Sequence, residues 1–279
     1  MLAEMLRQVG PHPRRPRRRP PVVGLTGGFA SGKSVVREMF HSAGAAVVDA
    51  DAVTRELSAP GGAVWQAIVG AFGEEVLTRP GGELDRAALW KRICNDREAR
   101  KRLNAATHPV ILAEVRRRVA RLLRYGPGRG SRPQRERQAP AVVVEVPLLY
   151  EAGRPALSLV DVVVVVWADR ETCLRRSVAR GLSPEEAALA VEAQWPLERK
   201  RRLADFVVDN SGDLDRTRRQ VERIWKVMGS PCASRWWHTT RRSRRWSSLS
   251  APFGRFSNAA ACWPPAPRAA WWLRPRASR

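Results

Sequence analysis

Hydrophobic positions along the chain fall into two alternating patterns. Five short apolar runs, Val22–Thr26, Ala46–Val48, Ala141–Val146, Val162–Trp167 and Phe206–Val208, are rich in valine and nearly continuous. Parallel strands covered on both faces read this way, because neither face needs polar residues. Between the runs, apolar residues recur three and four positions apart and predict helices at about 33–43, 62–72, 85–93, 96–104, 108–124, 170–180, 184–203 and 213–228. Strands alternating with helices imply right-handed crossovers and a doubly wound, parallel α/β sheet of about five strands.

Two stretches depart from simple alternation. About ninety residues, nearly all helical in pattern, separate the second and third strands, too many for one crossover; they predict a helical insertion at about 60–125, followed by a basic, Gly- and Pro-rich loop from Arg124 to Pro140. The second stretch is 170–203. Ser183-Pro184-Glu185-Glu186 supplies an N-cap serine, a proline at the first helical position and a glutamate at the capping-box position. A new helix starts there, and the resulting hairpin is placed to act as a lid.

Composition limits the function classes. With 279 residues, 44% of them hydrophobic, the chain can bury a sizeable core. Cys94, Cys173, Cys232 and Cys262 form no CxxC pair, which argues against a zinc site or a disulfide framework. The longest apolar stretch, Leu157 to Ala168, is broken by Asp161, and the N-terminus lacks the apolar segment of a secretory signal. A soluble, cytoplasmic protein is expected, with a monomer as the simplest state.

The formal charge of +23 raises nucleic-acid binding as a hypothesis. Residues 1–20 hold six Arg and one Glu, and residues 230–279 hold ten Arg and no acid, so the ends supply +5 and +10 and leave +8 for residues 21–229. That modest excess suits a domain whose substrates carry phosphates, and nucleic acid is not expected as a partner of the core. Three regions follow: a Pro/Arg extension at 1–20 that cannot form a core, a folded domain at 21–229, and a tail at 230–279 containing six of the eleven Trp. Trp beside Arg can stack on bases, but the tail has no helical or strand periodicity and reads as an unstructured appendage or a reading-frame artefact.

The chemistry begins after the first strand, where Gly27-Gly28-Phe29-Ala30-Ser31-Gly32-Lys33-Ser34 satisfies G-x-x-x-x-G-K-[ST]. Phosphate oxygens need several convergent backbone N–H groups, hence residues tolerant of unusual dihedrals and the positive end of the helix that starts near Lys33. Gly28, Ala30, Ser31, Gly32, Lys33, Ser34 and Val35 are the candidate nucleotide-binding residues. Lys33 would reach the β and γ phosphates, and the Ser34 hydroxyl would ligate Mg²⁺. With a strand before it and a helix after it, the motif implies ATP and Mg²⁺.

Three acids could serve it. Asp49 and Asp51 follow the second strand, two apart, which in extended chain puts both on one face; one could address an attacking hydroxyl and the other hold magnesium through water. The competing reading is a turn or helix N-cap. Glu145 ends the third strand, where P-loop enzymes often keep a carboxylate for magnesium; a solvated strand-end acid is the alternative, and Pro147 then stops the strand. Arg175, Arg176 and Arg180 lie on the predicted helix at 170–180, the last two four apart and so on one face, where they could neutralise a transferring phosphoryl group. His108, followed by Pro109, reads as a helix-start or substrate-pocket residue rather than a metal ligand.

LTGGFASGKS at 25–34, VVDAD at 47–51, LNAATHP at 103–109, VEVPLLYE at 144–151, AQ at 193–194 with Lys200, and ADFVVDNSG at 204–212 together resemble the dephospho-CoA kinase family, in that family's order. The resemblance implies a P-loop fold and transfer of the ATP γ-phosphoryl group to the ribose 3′-hydroxyl of dephospho-CoA. It also implies Asp51 at the acceptor hydroxyl, Lys33, Arg176 and Arg180 as catalytic cations, and Asn210 near the adenine. Asp49, His108, Glu145, Pro147 and Leu148 fall on the acceptor side, and Ser34, Asp49 and Glu145 are the metal candidates. The alternatives are another small-metabolite or nucleotide kinase on the same scaffold and a basic nucleic-acid-binding protein with an ancillary ATP site.

Overall fold

The structure, a computed structural model, describes residues 19–94, 96–126 and 141–229. Most of the Pro/Arg extension, the basic loop from 127 onward and the Trp-rich tail lie outside the described residues.

Five parallel strands form one sheet: β1 (Val22–Gly27), β2 (Ala46–Asp49), β3 (Val142–Glu145), β4 (Val162–Trp167) and β5 (Phe206–Asp209), in the order β2-β3-β1-β4-β5. The registers Val47↔Val143, Val23↔Val143, Leu25↔Val164 and Val165↔Val207 hold the strand ends level. Alternate residues of each strand feed opposite faces. Val23, Leu25, Val143, Val164 and Val166 pack against α1 (Lys33–Ser42) and α10 (Leu214–Gly229) through Val36, Phe40, Val221 and Ile224. Val22, Val142, Val144, Val163 and Val165 point the other way, onto Val53 of α2 (Ala50–Leu57) and Val115 and Val119 of α5 (Arg97–Tyr125). The Val-rich runs are continuous because both faces are dry.

The insertion has its own core. α3 (Ala63–Phe72), a 3₁₀ turn at Glu74–Val76, α4 (Arg86–Cys94) and the first half of α5 gather Val64, Ile68, Phe72, Leu89, Ile93 and Leu103. An antiparallel bridge, Leu77↔Leu84, interrupts the helices. The pattern at 96–124 predicts two helices broken at His108-Pro109, but one helix of 29 residues runs through with Pro109 inside it. Proline costs an interior helix one hydrogen bond and a clash. Here Leu103 and Thr107 on one side and Val115 and Val119 on the other are buried, and that packing holds the helix across the break. His108 is therefore an exposed mid-helix residue and not a helix start.

α2 has no counterpart in the hydrophobic pattern. Asp49 caps it, its Oδ1 accepting from the Asp51 and Ala52 amides at 2.9 and 3.0 Å. After the four-residue α6 (Arg154–Leu157) and β4 comes α7 (Arg170–Val178), shorter than predicted. The stretch at 184–203 is two helices, α8 (Pro184–Glu192) and α9 (Leu197–Leu203), separated by Ala193-Gln194-Trp195-Pro196. Pro196, without an amide hydrogen, cannot continue α8. The Ser183 capping box forms as the sequence predicts, with Glu186 reaching back to the Ser183 amide at 2.9 Å. Among the described residues, Arg19 already makes a folded contact ahead of the predicted boundary at 21: its guanidinium grips Asp161 at 2.7 and 2.8 Å, and Asp161 also accepts the Val22 amide.

Candidate active site

Order reversal places a crevice at the carboxyl ends of β1 and β3, since the connection leaving β1 runs to β2 and the one leaving β3 runs the other way to β4. Ligands of open α/β sheets bind at such a point. The loop from Gly27 to Lys33 lies there and needs special backbone: Ala30 has φ 55° and Gly32 φ 91°. Ala30 is the only non-glycine in the left-handed region among the described residues, a strained conformation of the kind that clusters at ligand sites. Gly27 is held tightly, since a Cβ there would lie 2.5 Å from the Val166 carbonyl oxygen. Lys33 bends back to donate to the Gly28 carbonyl at 2.7 Å. The Ser31 hydroxyl is buried without a hydrogen-bond partner among the described residues. A left-handed cradle, an orphaned hydroxyl and an enclosed ammonium fit a polyphosphate chain.

The loop is fastened from the far side by Asn210, which is buried just past β5. Its Nδ2 donates to the Ser31 carbonyl at 2.8 Å, while its Oδ1 accepts from the Thr217 hydroxyl of α10. Arg176 of α7 donates to the Asn210 carbonyl at 2.8 Å and approaches the Ser31 carbonyl at 3.4 Å. It therefore joins α7 to the phosphate loop. No hydrogen bond among the described residues joins the Arg180 side chain to the loop. α7 ends at Val178, Ala179 is its C-cap, and Arg180 is exposed beyond it.

The acids converge opposite the loop. Glu145 is buried rather than solvated, and Arg37 bridges it to Asp49, one guanidinium nitrogen lying 3.0 Å from Glu145 Oε2 and 2.9 Å from Asp49 Oδ2. Burial pushes the Glu145 carboxyl above its ordinary range against the pull of Arg37. Asp51 is in the first turn of α2, not in extended chain, so the same-face geometry predicted for two residues of a strand is replaced by an N-cap and a helical residue. Burial, and then the neighbouring Asp49 charge, push the Asp51 carboxyl upward. The Lys33 ammonium is lowered to about 8 by its enclosure and by Lys200, with Glu145, Asp51 and Cys173 acting in the opposite sense.

Ser34 and Val35 are exposed on the first turn of α1, and Leu148 is exposed just beyond Pro147. The Pro147 carbonyl accepts from the Thr26 hydroxyl at 3.0 Å, tying the ends of β3 and β1. No hydrogen bond among the described residues links His108 to the phosphate loop, and the structure does not bring it into the cluster. Arg37 is the site residue the sequence reading missed. The available signal was its position four residues after Lys33, on the same face of the helix.

The fold and site define a P-loop kinase acting on a small molecule, with ATP as phosphoryl donor. The dephospho-CoA kinase family model matches residues 21–216. A curated dephospho-CoA kinase from Symbiobacterium thermophilum is 47% identical over 207 residues, covering 74% of this chain and 80% of that protein. Another, from Geobacter sulfurreducens, is 44% identical over 205 residues, covering 73% and 96%. Among solved structures, a protein from Thermus thermophilus superposes with TM-score 0.60 at 33% identity, over 75% of this chain and 98% of its own. A dephospho-CoA kinase from Campylobacter jejuni gives 0.52 at 25%, over 75% and 96%. The chain belongs to the dephospho-CoA kinase family, and its reaction is the phosphorylation of dephospho-CoA in coenzyme A biosynthesis.

Proposed function

We propose that Asp51 and Lys33 are the two residues on which this phosphorylation turns, acting from opposite sides of the transferring group. The observation that carries the reading is the placement of the loop lysine, Asp51, Asp49 and Glu145 at the ends of β1, β2 and β3, where Arg37 bridges Asp49 to Glu145 and Asp49 accepts the Asp51 amide. Transfer of a γ-phosphoryl group has a loose transition state, so the protein's work is positioning and charge stabilisation. Lys33 lies among the phosphates and neutralises charge on the β and γ groups. Asp51, made more basic by burial, accepts the hydrogen bond of the ribose 3′-hydroxyl and holds it in line.

Arg176, already on the loop, faces the equatorial oxygens, and Arg180 joins it only if the hairpin at 170–203 closes as a lid. Asn210 borders the adenine. The insertion at about 60–125 receives the acceptor, with His108, Pro147 and Leu148 on that side. Ser34, Asp49 and Glu145 supply hard oxygen donors that suit Mg²⁺, and no group of three or more acids, histidines or cysteines forms a metal cage among the described residues; such a site matches an ion that keeps several waters and takes phosphate oxygens. When bound, the ion would supply charge neutralisation at the phosphates. No described helix is long and apolar enough to cross a membrane, and the reading places the protein in the cytoplasm with its substrates.

The test is ADP release with and without dephospho-CoA, for the parent and for Lys33→Ala. Release that depends on dephospho-CoA and is lost in a folded Lys33→Ala variant supports the reading. Near-normal turnover by that variant removes the loop lysine from the mechanism.

A further inference from the structure

α9 buries a single side chain, and that side chain is Lys200. Its neighbours Arg199, Arg201 and Arg202 are exposed, while Lys200 is 0% exposed. Burying an ammonium costs several kcal/mol unless it is paired, and a helix packing on a core would ordinarily place leucine there. The partners show what the charge holds. The ammonium lies 2.8 Å from Glu151 Oε1 and 3.4 Å from both the Gly27 carbonyl at the end of β1 and the Pro147 carbonyl beyond β3. The Gln194 side chain is 3.5 Å away. Glu151 Oε1 also accepts the Trp195 amide at 3.1 Å, and the Trp195 ring stacks parallel to Tyr150 with centroids 6.4 Å apart. One buried ion pair thus joins the α8–α9 corner, the segment after β3 and the first residue of the phosphate loop.

We propose that Lys200, held by Glu151, is a positioning residue that fixes the entrance of the phosphate loop. The inference rests on Lys33 being the phosphate-binding lysine. Three of the four contacts to the ammonium are carbonyl or amide oxygens at 3.4–3.5 Å, longer than good N–H···O bonds. Its charge is therefore matched only by Glu151, whose second oxygen is buried without a hydrogen-bond partner.

Lys200→Met leaves Glu151 buried and unpaired and can fail to fold for that reason alone. The double variant Glu151→Gln/Lys200→Met removes both charges, a change that buried pairs often tolerate. The measurements are kcat at saturating substrates and KM for each substrate, with circular dichroism to check the fold. The expected result is a folded double variant with kcat about tenfold lower from the loosened loop and KM for dephospho-CoA within about twofold of the parent's. Lys200→Arg, which keeps the charge facing Glu151, should restore most of kcat. A double variant with the parent's kcat overturns the inference, and so does one that does not fold, since the pair then serves the fold alone. Failure of the underlying reading looks different: Lys33→Ala would turn over normally.

Discussion

At Gly32 the backbone is left-handed, and a Cβ would lie 2.0 Å from the Asn210 amide nitrogen. Alanine there costs about 1–2 kcal/mol in dihedral strain and displaces the side chain that holds the Ser31 carbonyl. Gly32→Ala is expected to lower turnover at least about a hundredfold, the usual consequence of a misplacement of about 1 Å, while circular dichroism stays that of the parent; parental turnover would show that the loop tolerates the shift. Lys33 carries a pH prediction. Its pKa in the free protein is about 8, and bound phosphates raise it. Below about pH 8 the lysine is protonated with or without nucleotide, so binding takes up no proton there. Above it, binding takes up a proton and affinity falls as pH rises. Calorimetry of ATP binding in buffers of different ionisation enthalpy should detect uptake at pH 9 that disappears in Lys33→Ala.

At the scale of elements, the strands were legible because five Val-rich runs have no other reading in a chain of this length. What the sequence concealed lay at helix ends. α2 begins at Ala50 because Asp49 caps it, and Asp-Ala-Asp is equally compatible with extended chain until the cap is seen. Pro109 announces a break that packing on both sides overrides, and Pro196 makes a break inside a stretch predicted to be one helix. Glu145 was found by position, but its burial and its sharing of Arg37 with Asp49 depend on three elements meeting. The Ser183 cap was readable because its motif is local, and it gives a local prediction. Ser183→Ala should cost about 1 kcal/mol, seen as hydrogen exchange roughly fivefold faster in α8 with the strand amides unchanged. A uniform change across the sheet would mean that α8 does not open independently.

For the whole molecule, the family match ends at residue 216 and the described domain at 229, and every residue of the sheet, the phosphate loop and the acid cluster lies before that point. Removing residues 230–279 should leave kcat/KM within about twofold, since the family match and all these residues precede that stretch; a large loss would give the Trp-rich tail a part in the enzyme. The central claim is that Asp51 holds the acceptor hydroxyl while the loop holds ATP, and Asp51→Asn tests it most directly. Steady-state turnover of dephospho-CoA, with ATP binding measured separately, should show kcat lowered at least about a hundredfold and ATP affinity unchanged, because only an interaction of the transition state is lost. A variant with intact kcat, or one whose defect is a weakened dependence on magnesium, would contradict the assignment.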